Sequence, residues 1–143
     1  MASNIDNNFD LEPDILSEVK DMKFGIVVSN WNKNITDNLF DGAYKTLVKY
    51  GVKEENIKKI EVPGSFELVH GCKIMQRNNI DAVIAIGCII KGETDHYDYI
   101  CSSVSSGITQ LNIINDIPIV FCVLTDHNID QSINRSGGKH GNK

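Results

Sequence analysis

Residues 82–90 read AVIAIGCII, nine consecutive apolar positions without a charge or a hydroxyl. A run of that length cannot cross a bilayer, which takes about 20 apolar residues in a helix. Its isoleucines and valine favour a strand, and the lack of alternation means that both faces are covered. Strands of this kind sit inside parallel sheets, where crossover connections place helices above and below. The remainder of the chain then has to supply neighbouring strands and covering helices.

It does so in alternation. Residues 24–29 (FGIVVS) form a second apolar, β-branched run. Asn34 or Thr36 is placed to cap a following helix, in which Leu39, Ala43, Leu47 and Tyr50 share one face before Gly51 ends it. Residues 57–62 (IKKIEV) make a more polar strand, suited to a position near an edge. Pro63-Gly64 turns the chain into a helix over 65–77 with Leu68, Cys72 and Met75 on one side, and Asn78-Asn79 breaks it. A long helix is expected over 95–115, its buried side formed by Ile100, Val104, Gly107, Leu111 and Ile114. Residues 117–124 (IPIVFCVL) are a fourth strand with Pro118 tolerable at its start, and another helix begins over 129–136. The pattern predicts a three-layer α/β/α sandwich on a four-stranded parallel sheet, residues 23–143, behind a polar, acidic arm over 1–22 that Pro13 interrupts.

Charge narrows the function. The formal net charge is -5, from 14 basic and 19 acidic residues, which argues against a nucleic-acid binder working through a broad basic face. A local basic site remains open at 136–143, which carries Lys139 and Lys143. The N-terminus has no basic stretch followed by an apolar core, so neither a secretory signal nor a membrane anchor is expected. The four cysteines, Cys72, Cys88, Cys101 and Cys122, have no C-x-x-C spacing and read as buried reduced thiols of a cytoplasmic protein. Neither a G-x-G-x-x-G nor a G-x-x-x-x-G-K-[ST] nucleotide motif occurs, and no close His/Cys set suggests a metal.

In a parallel α/β sheet, ligands bind beyond the carboxyl ends of the strands. Four loops fall there: 30–32, 63–67, 91–96 and 125–128, all rich in polar or aromatic residues. Trp31, the only tryptophan, is placed either to stack on a planar heterocycle or to pack against the fold. Pro63-Gly64-Ser65-Phe66-Glu67 leads into a helix N-terminus, whose free N–H groups suit polar ligand oxygens. Glu67 fits either a hydroxyl acceptor or ordinary placement of an acid in a first helical turn. Gly92-Glu93-Thr94 offers amides and a hydroxyl to a phosphate. His96 follows, as a proton carrier near neutral pH or as a solvated surface histidine.

Taken together and in order, Ser29-Asn30-Trp31-Asn32, Val62 through Glu67 (VPGSFE), 87–99 (GCIIKGETDHYDY) and Arg135 through Lys143 resemble the 6,7-dimethyl-8-ribityllumazine synthase family. The resemblance extends over 24–143 and implies a flavodoxin-like fold and a transferase of riboflavin biosynthesis. The reaction it implies condenses 5-amino-6-(D-ribitylamino)uracil with 3,4-dihydroxy-2-butanone 4-phosphate, releasing phosphate and water. By position, Trp31 would stack on the pyrimidine and Ser65, Phe66 and Glu67 would hold the ribityl chain. Cys88, Ile89 and Ile90 would read the pyrimidine edge through their backbone. Glu93 and Thr94 would bind phosphate, and His96 would be catalytic. Phe121 and Arg135 would come from an adjacent subunit, Arg135 as a further phosphate ligand. The resemblance implies two small-molecule substrates, no cofactor and no metal. It implies a homo-oligomer, a pentamer that in some members packs into a sixty-subunit cage. Members of the family continue past Gly-Asn-Lys with one more helix, so a chain ending at Lys143 is expected to lack that C-terminal cover. Two other activities share the fold: an archaeal-type riboflavin synthase, and a non-catalytic flavin- or lumazine-binding shell protein. The GETDHYDY turn favours the first reading.

Overall fold

The computed structural model describes residues 17–142. Most of the expected arm, and Lys143, lie outside these residues. What is described before the first strand is a helical turn at 17–19, tied down where Lys53 Nζ meets Asp21 Oδ1 at 3.0 Å.

The elements are β1 (Phe24–Ser29), α1 (Lys33–Lys49), β2 (Ile57–Val62), α2 (Leu68–Met75), β3 (Ala82–Ile90), α3 (His96–Ile114), β4 (Ile119–Asp126), α4 (Ile129–Arg135), β5 (Ser136–Gly138) and β6 (Gly141–Asn142). The first four strands form one parallel sheet in the order β2-β1-β3-β4. The apolar run β3 is therefore internal, between β1 and β4, and the more polar β2 is an edge. Alternate residues of β3 feed two cores. Val83, Ala85 and Ile89 join Leu68, Cys72 and Met75 of α2 and Val104, Ile108 and Leu111 of α3. Ile86 and Cys88 join Ile26 and Val28 of β1 and Ile35 and Leu39 of α1 on the other face. The three layers follow from that division. Among the described residues, no helix is long and apolar enough to cross a membrane.

Several expected boundaries move, each for a local reason. Neither Asn34 nor Thr36 caps α1; Asn32 occupies that position with a left-handed backbone (φ 59°), and its side chain donates to the Cys88 carbonyl instead. Gly51 does end the helix, at φ 94°, where the amides of Gly51 and Val52 close back on the carbonyls of Val48 and Leu47. Helix α2 is shorter than 65–77. Residues 65–67 are a turn, and Asn78 Nδ2 takes the last carbonyls, of Ile74 and Met75, at 3.0 and 3.2 Å. On α3 the buried stripe runs through Val104, Ile108 and Leu111, whereas Ile114 is 74% exposed. Gly107 meets Val69 of α2, where an added Cβ would stand 2.7 Å from a Val69 methyl. β4 begins at Ile119, after Pro118, because the Asn112 amide brackets Ile119 with two hydrogen bonds, at 2.6 and 3.0 Å.

The hairpin β5–β6 was not expected. Ser136 pairs antiparallel with Asn142, and Gly137 and Gly141 take positive φ at its turns. The Asn142 side chain lies over Gly42 of α1, leaving no room there for a Cβ, and Asn142 Nδ2 donates to the Asn38 carbonyl.

All four cysteines are free thiols. Burial pushes Cys72 up to about 12 and Cys122 up to about 11. At pH 8 their thiolate fractions are then only about 10⁻⁴ and 10⁻³. In native protein at that pH, iodoacetamide should leave both unmodified over an hour, while urea-unfolded chain labels fully. Mass spectrometry reads the difference.

Candidate active site

In the strand order β2-β1-β3-β4 the chain leaves β1 toward one edge and β3 toward the other. The carboxyl ends of β1 and β3 thus form the switch-point crevice in which α/β sheets bind ligands. A cavity of about 520 Å³ opens there, on the α2–α3 side, lined by residues from the first three strand-end loops and the first turn of α3. That is ample for a substituted heterocycle.

Each wall has a structural cause. Asn30 N donates to the Val62 carbonyl at 2.8 Å, extending the β1–β2 pairing past Ser29. Asn32 then anchors to Cys88, and Trp31, between these two tethers, stays 71% exposed while lining the cavity. A large aromatic held at a rim with one open face is available for stacking. The 64–67 turn forms a second wall, with Phe66 also 55% exposed. Glu67 is at the cap position of α2, makes no capping bond through its side chain, and folds its carboxylate back over Gly64. Glu67 thus stands at the helix start, where an acid is favourable, with its carboxylate turned toward the cavity turn rather than bonded to a helix amide.

Ser65 is buried, and its Oγ has no hydrogen-bond partner among the described residues; the same holds for Ser29 Oγ. A buried hydroxyl left unpaired is costly, and a ligand hydroxyl would satisfy it. Ser65 seats on Gly87 of β3. A Cβ at Gly87 would stand 2.8 Å from Ser65 Oγ and from Leu68 Cδ1, and 3.3 Å from Val123 Cγ1. Gly87→Ala should therefore overpack the cavity floor and cost about 2 kcal/mol. Thermal unfolding checks this; a variant as stable as the parent would mean that the turn does not rest on the strand.

The third wall is the end of β3 and the loop into α3. Cys88, Ile89 and Ile90 line the cavity. The Cys88 thiol itself belongs to the opposite core, 3.4 Å from Ser132 Oγ, so Cys88 faces the cavity with its backbone. Gly92, Thr94 and His96 continue the lining, with Thr94 and His96 exposed. Asp98 N and Tyr99 N donate to the Asp95 carbonyl, which leaves the amides of His96 and Tyr97 at the start of α3 to suit an anion.

Of the residues singled out in the sequence, the cavity brings together Trp31, Ser65, Phe66, Glu67, Cys88, Ile89, Ile90, Thr94 and His96. Glu93 is exposed in the same loop and does not line it. Phe121 and Arg135 lie outside it. Phe121 is 44% exposed on the edge strand β4, and Arg135 ends α4, its Nε 3.7 Å from Asp126 Oδ1. The fourth strand-end loop, 125–128, contributes nothing to the lining.

Tyr97 and Ile100 also line the cavity; from the sequence Tyr97 was part of the 87–99 motif and Ile100 part of the buried helix side, and neither was named as a site residue. The i,i+4 spacing of Ile100 from His96 was the available signal for that residue; Tyr97, adjacent to His96, had none of this kind. Burial raises the Tyr97 phenol above its ordinary value, with Cys101 adding to it, and the Lys91 ammonium lies 5.8 Å from its ring centre.

Comparison with known proteins matches residues 21–143 to the family model described as 6,7-dimethyl-8-ribityllumazine synthase. A protein of that name from Christiangramia forsetii is 51% identical over 145 residues, spanning 100% of this chain and 86% of its own length. One from Flavobacterium johnsoniae is 50% identical over 144 residues, spanning 100% and 76%. One from Bacteroides fragilis is 55% identical over 123 residues, spanning 85% and 86%.

Proposed function

Because the chain belongs to the 6,7-dimethyl-8-ribityllumazine synthase family, a transferase of riboflavin biosynthesis, we propose that the cavity at the β1–β3 switch point is where its two substrates condense. The observation that carries this is the meeting of Trp31, the 65–67 turn and His96 around one cavity, although they stand far apart in the chain. Neither the riboflavin synthase nor the non-catalytic shell reading is favoured by these matches.

In this proposal the pyrimidine of 5-amino-6-(D-ribitylamino)uracil stacks on Trp31, and the Cys88–Ile90 backbone meets its edge. The unpaired Ser65 hydroxyl, with Phe66 and Glu67, receives the ribityl chain. The phosphate of 3,4-dihydroxy-2-butanone 4-phosphate sits against the Glu93–Thr94 main chain, the Thr94 hydroxyl and the open amides of α3, with the Glu93 carboxylate turned out of the cavity. The 5-amino group adds to the ketone and water leaves, giving an imine. Phosphate is then eliminated, and the ribitylamino nitrogen closes the ring with loss of a second water. Every step moves protons between the amine, carbon and oxygen atoms, and His96 at the cavity wall is the group placed to carry them. Holding both reactants in one cavity supplies the remainder through proximity.

The proposal includes a second chain. Phe121 and Arg135 do not line the cavity of their own chain; Phe121 is exposed on the edge strand β4 and Arg135 ends α4. There they serve the neighbour's cavity in a cyclic assembly, a pentamer, either alone or as the unit of a sixty-subunit cage. The free thiols fit a reducing, cytoplasmic setting.

The test mixes both substrates with the assembled protein and follows lumazine fluorescence, with light scattering for mass. Product requires both substrates, and the mass is five chains or sixty. Lumazine converted to riboflavin when supplied alone favours the riboflavin synthase instead. Ligand binding with no turnover favours the shell protein, and a monomeric mass removes the shared site.

A further inference from the structure

We propose that Asp126 is a positioning residue for Arg135, an ion-pair partner on the Nε side of its guanidinium that leaves the two terminal nitrogens free for phosphate. The role rests on the reading of Arg135 as a phosphate ligand and extends it.

Asp126 is the last residue of β4 and only 8% exposed. A carboxylate buried to that extent is costly unless it is hydrogen-bonded and paired. Both oxygens are accounted for. Oδ2 accepts from Ser132 Oγ at 2.8 Å, and Oδ1 faces Arg135 Nε at 3.7 Å. Ser132 is fully buried, and its oxygen in turn accepts from Cys88 Sγ at 3.4 Å. The Asp126 carbonyl accepts from Lys91 N at 2.9 Å, which fastens the end of β4 to the loop leaving β3. The carboxylate is thus oriented by the Ser132 hydroxyl, on a backbone fixed by Lys91 N, before the arginine meets it.

Arg135 stands three residues beyond Ser132, on the same face of α4. The helix is itself held at its start, where Asn128 Oδ1 accepts from Gln131 N at 3.0 Å and Gln131 Oε1 accepts from His127 N at 2.8 Å. A contact at Nε leaves the outer fork of the guanidinium open, the edge that binds phosphate in bidentate fashion. An arginine already restrained loses less freedom on meeting the anion than a free one. The Asp126 charge also reaches the cavity wall. Burial first, and Asp126 in addition, raise both the Cys88 thiol and the Tyr97 phenol.

The test uses the full-length assembled enzyme. Asp126→Asn should raise KM for the butanone phosphate, and Ki for inorganic phosphate, about ten-fold, with KM for the pyrimidine within about two-fold. Ser132→Ala, which keeps the charge and removes one orienting donor, should move the same two constants about three-fold. The double variant Asp126→Asn/Arg135→Ala should bind phosphate no worse than Arg135→Ala alone, since Asp126 acts through the arginine. If Arg135→Ala raises Ki but Asp126→Asn does not, positioning is overturned while the arginine keeps its role. Equal rises in both KM values, or losses that add in the double variant, point to a merely structural carboxylate. An unchanged Ki in Arg135→Ala removes the phosphate ligand itself, and this inference with it. Where Asp126→Asn fails to fold, the Ser132→Ala constants decide alone.

Discussion

Arg135→Ala is expected to lower kcat/KM by about 10³-fold, the loss typical of removing a charged donor from the developing charge of a transition state. The effect should appear in both kcat and the affinity for the phosphate substrate, because the leaving phosphate gains charge as it departs. Arg135 lies at the end of α4 with its guanidinium against Asp126, outside the cavity of its own chain. Its removal therefore leaves that cavity intact, and the pyrimidine should still quench Trp31 fluorescence on binding. A rate within a factor of ten of the parent would remove Arg135 from the site.

His96→Ala is expected to lower kcat by about 10²-fold, in the lower range for a positioned proton carrier. His96 is exposed in the first turn of α3, so the substitution removes no core contact, and the assembly should keep its mass and thermal midpoint. Parent-like turnover would mean that solvent or the phosphate itself moves the protons. The two variants also test each other. Mixed from separately inactive chains in a ring, about a quarter of the cavities pair an intact His96 with a neighbour's intact Arg135. Activity recovered on mixing supports a shared site. A mixture as inactive as its components means that both residues serve one chain.

The layer structure was legible because hydrophobic pattern and cover are the same fact. An unbroken apolar β3 had to be internal, a polar β2 had to lie at an edge, and both do. Helix ends were read less well. Asn32 looks like a turn residue, yet it takes the cap position of α1 because its side chain is committed to a carbonyl 56 residues away. On α3, Gly107 stayed on the packed side, where α2 crosses close to it, whereas the expected Ile114 is exposed and Ile108 joins the core instead, a close approach that no single-helix periodicity contains. The β5–β6 hairpin depends on Asn142 finding Gly42, one hundred positions earlier.

The same boundary runs through the site. Residue types at strand ends were enough to nominate Trp31, the 65–67 turn and His96, since the carboxyl edge of a parallel sheet is fixed once the alternation of strands and helices is known. Local chemistry in the chain thus determined the layers, the sheet edge and the residues offered there. Only the tertiary structure decided that Ser65 rests on Gly87, that Cys88 turns its thiol away, that Tyr97 and Ile100 close the wall, and that Asp126 lies between Ser132 and Arg135. Those are meetings between segments far apart along the chain. They are set by packing and by the need of buried polar groups for partners, neither of which any one segment contains.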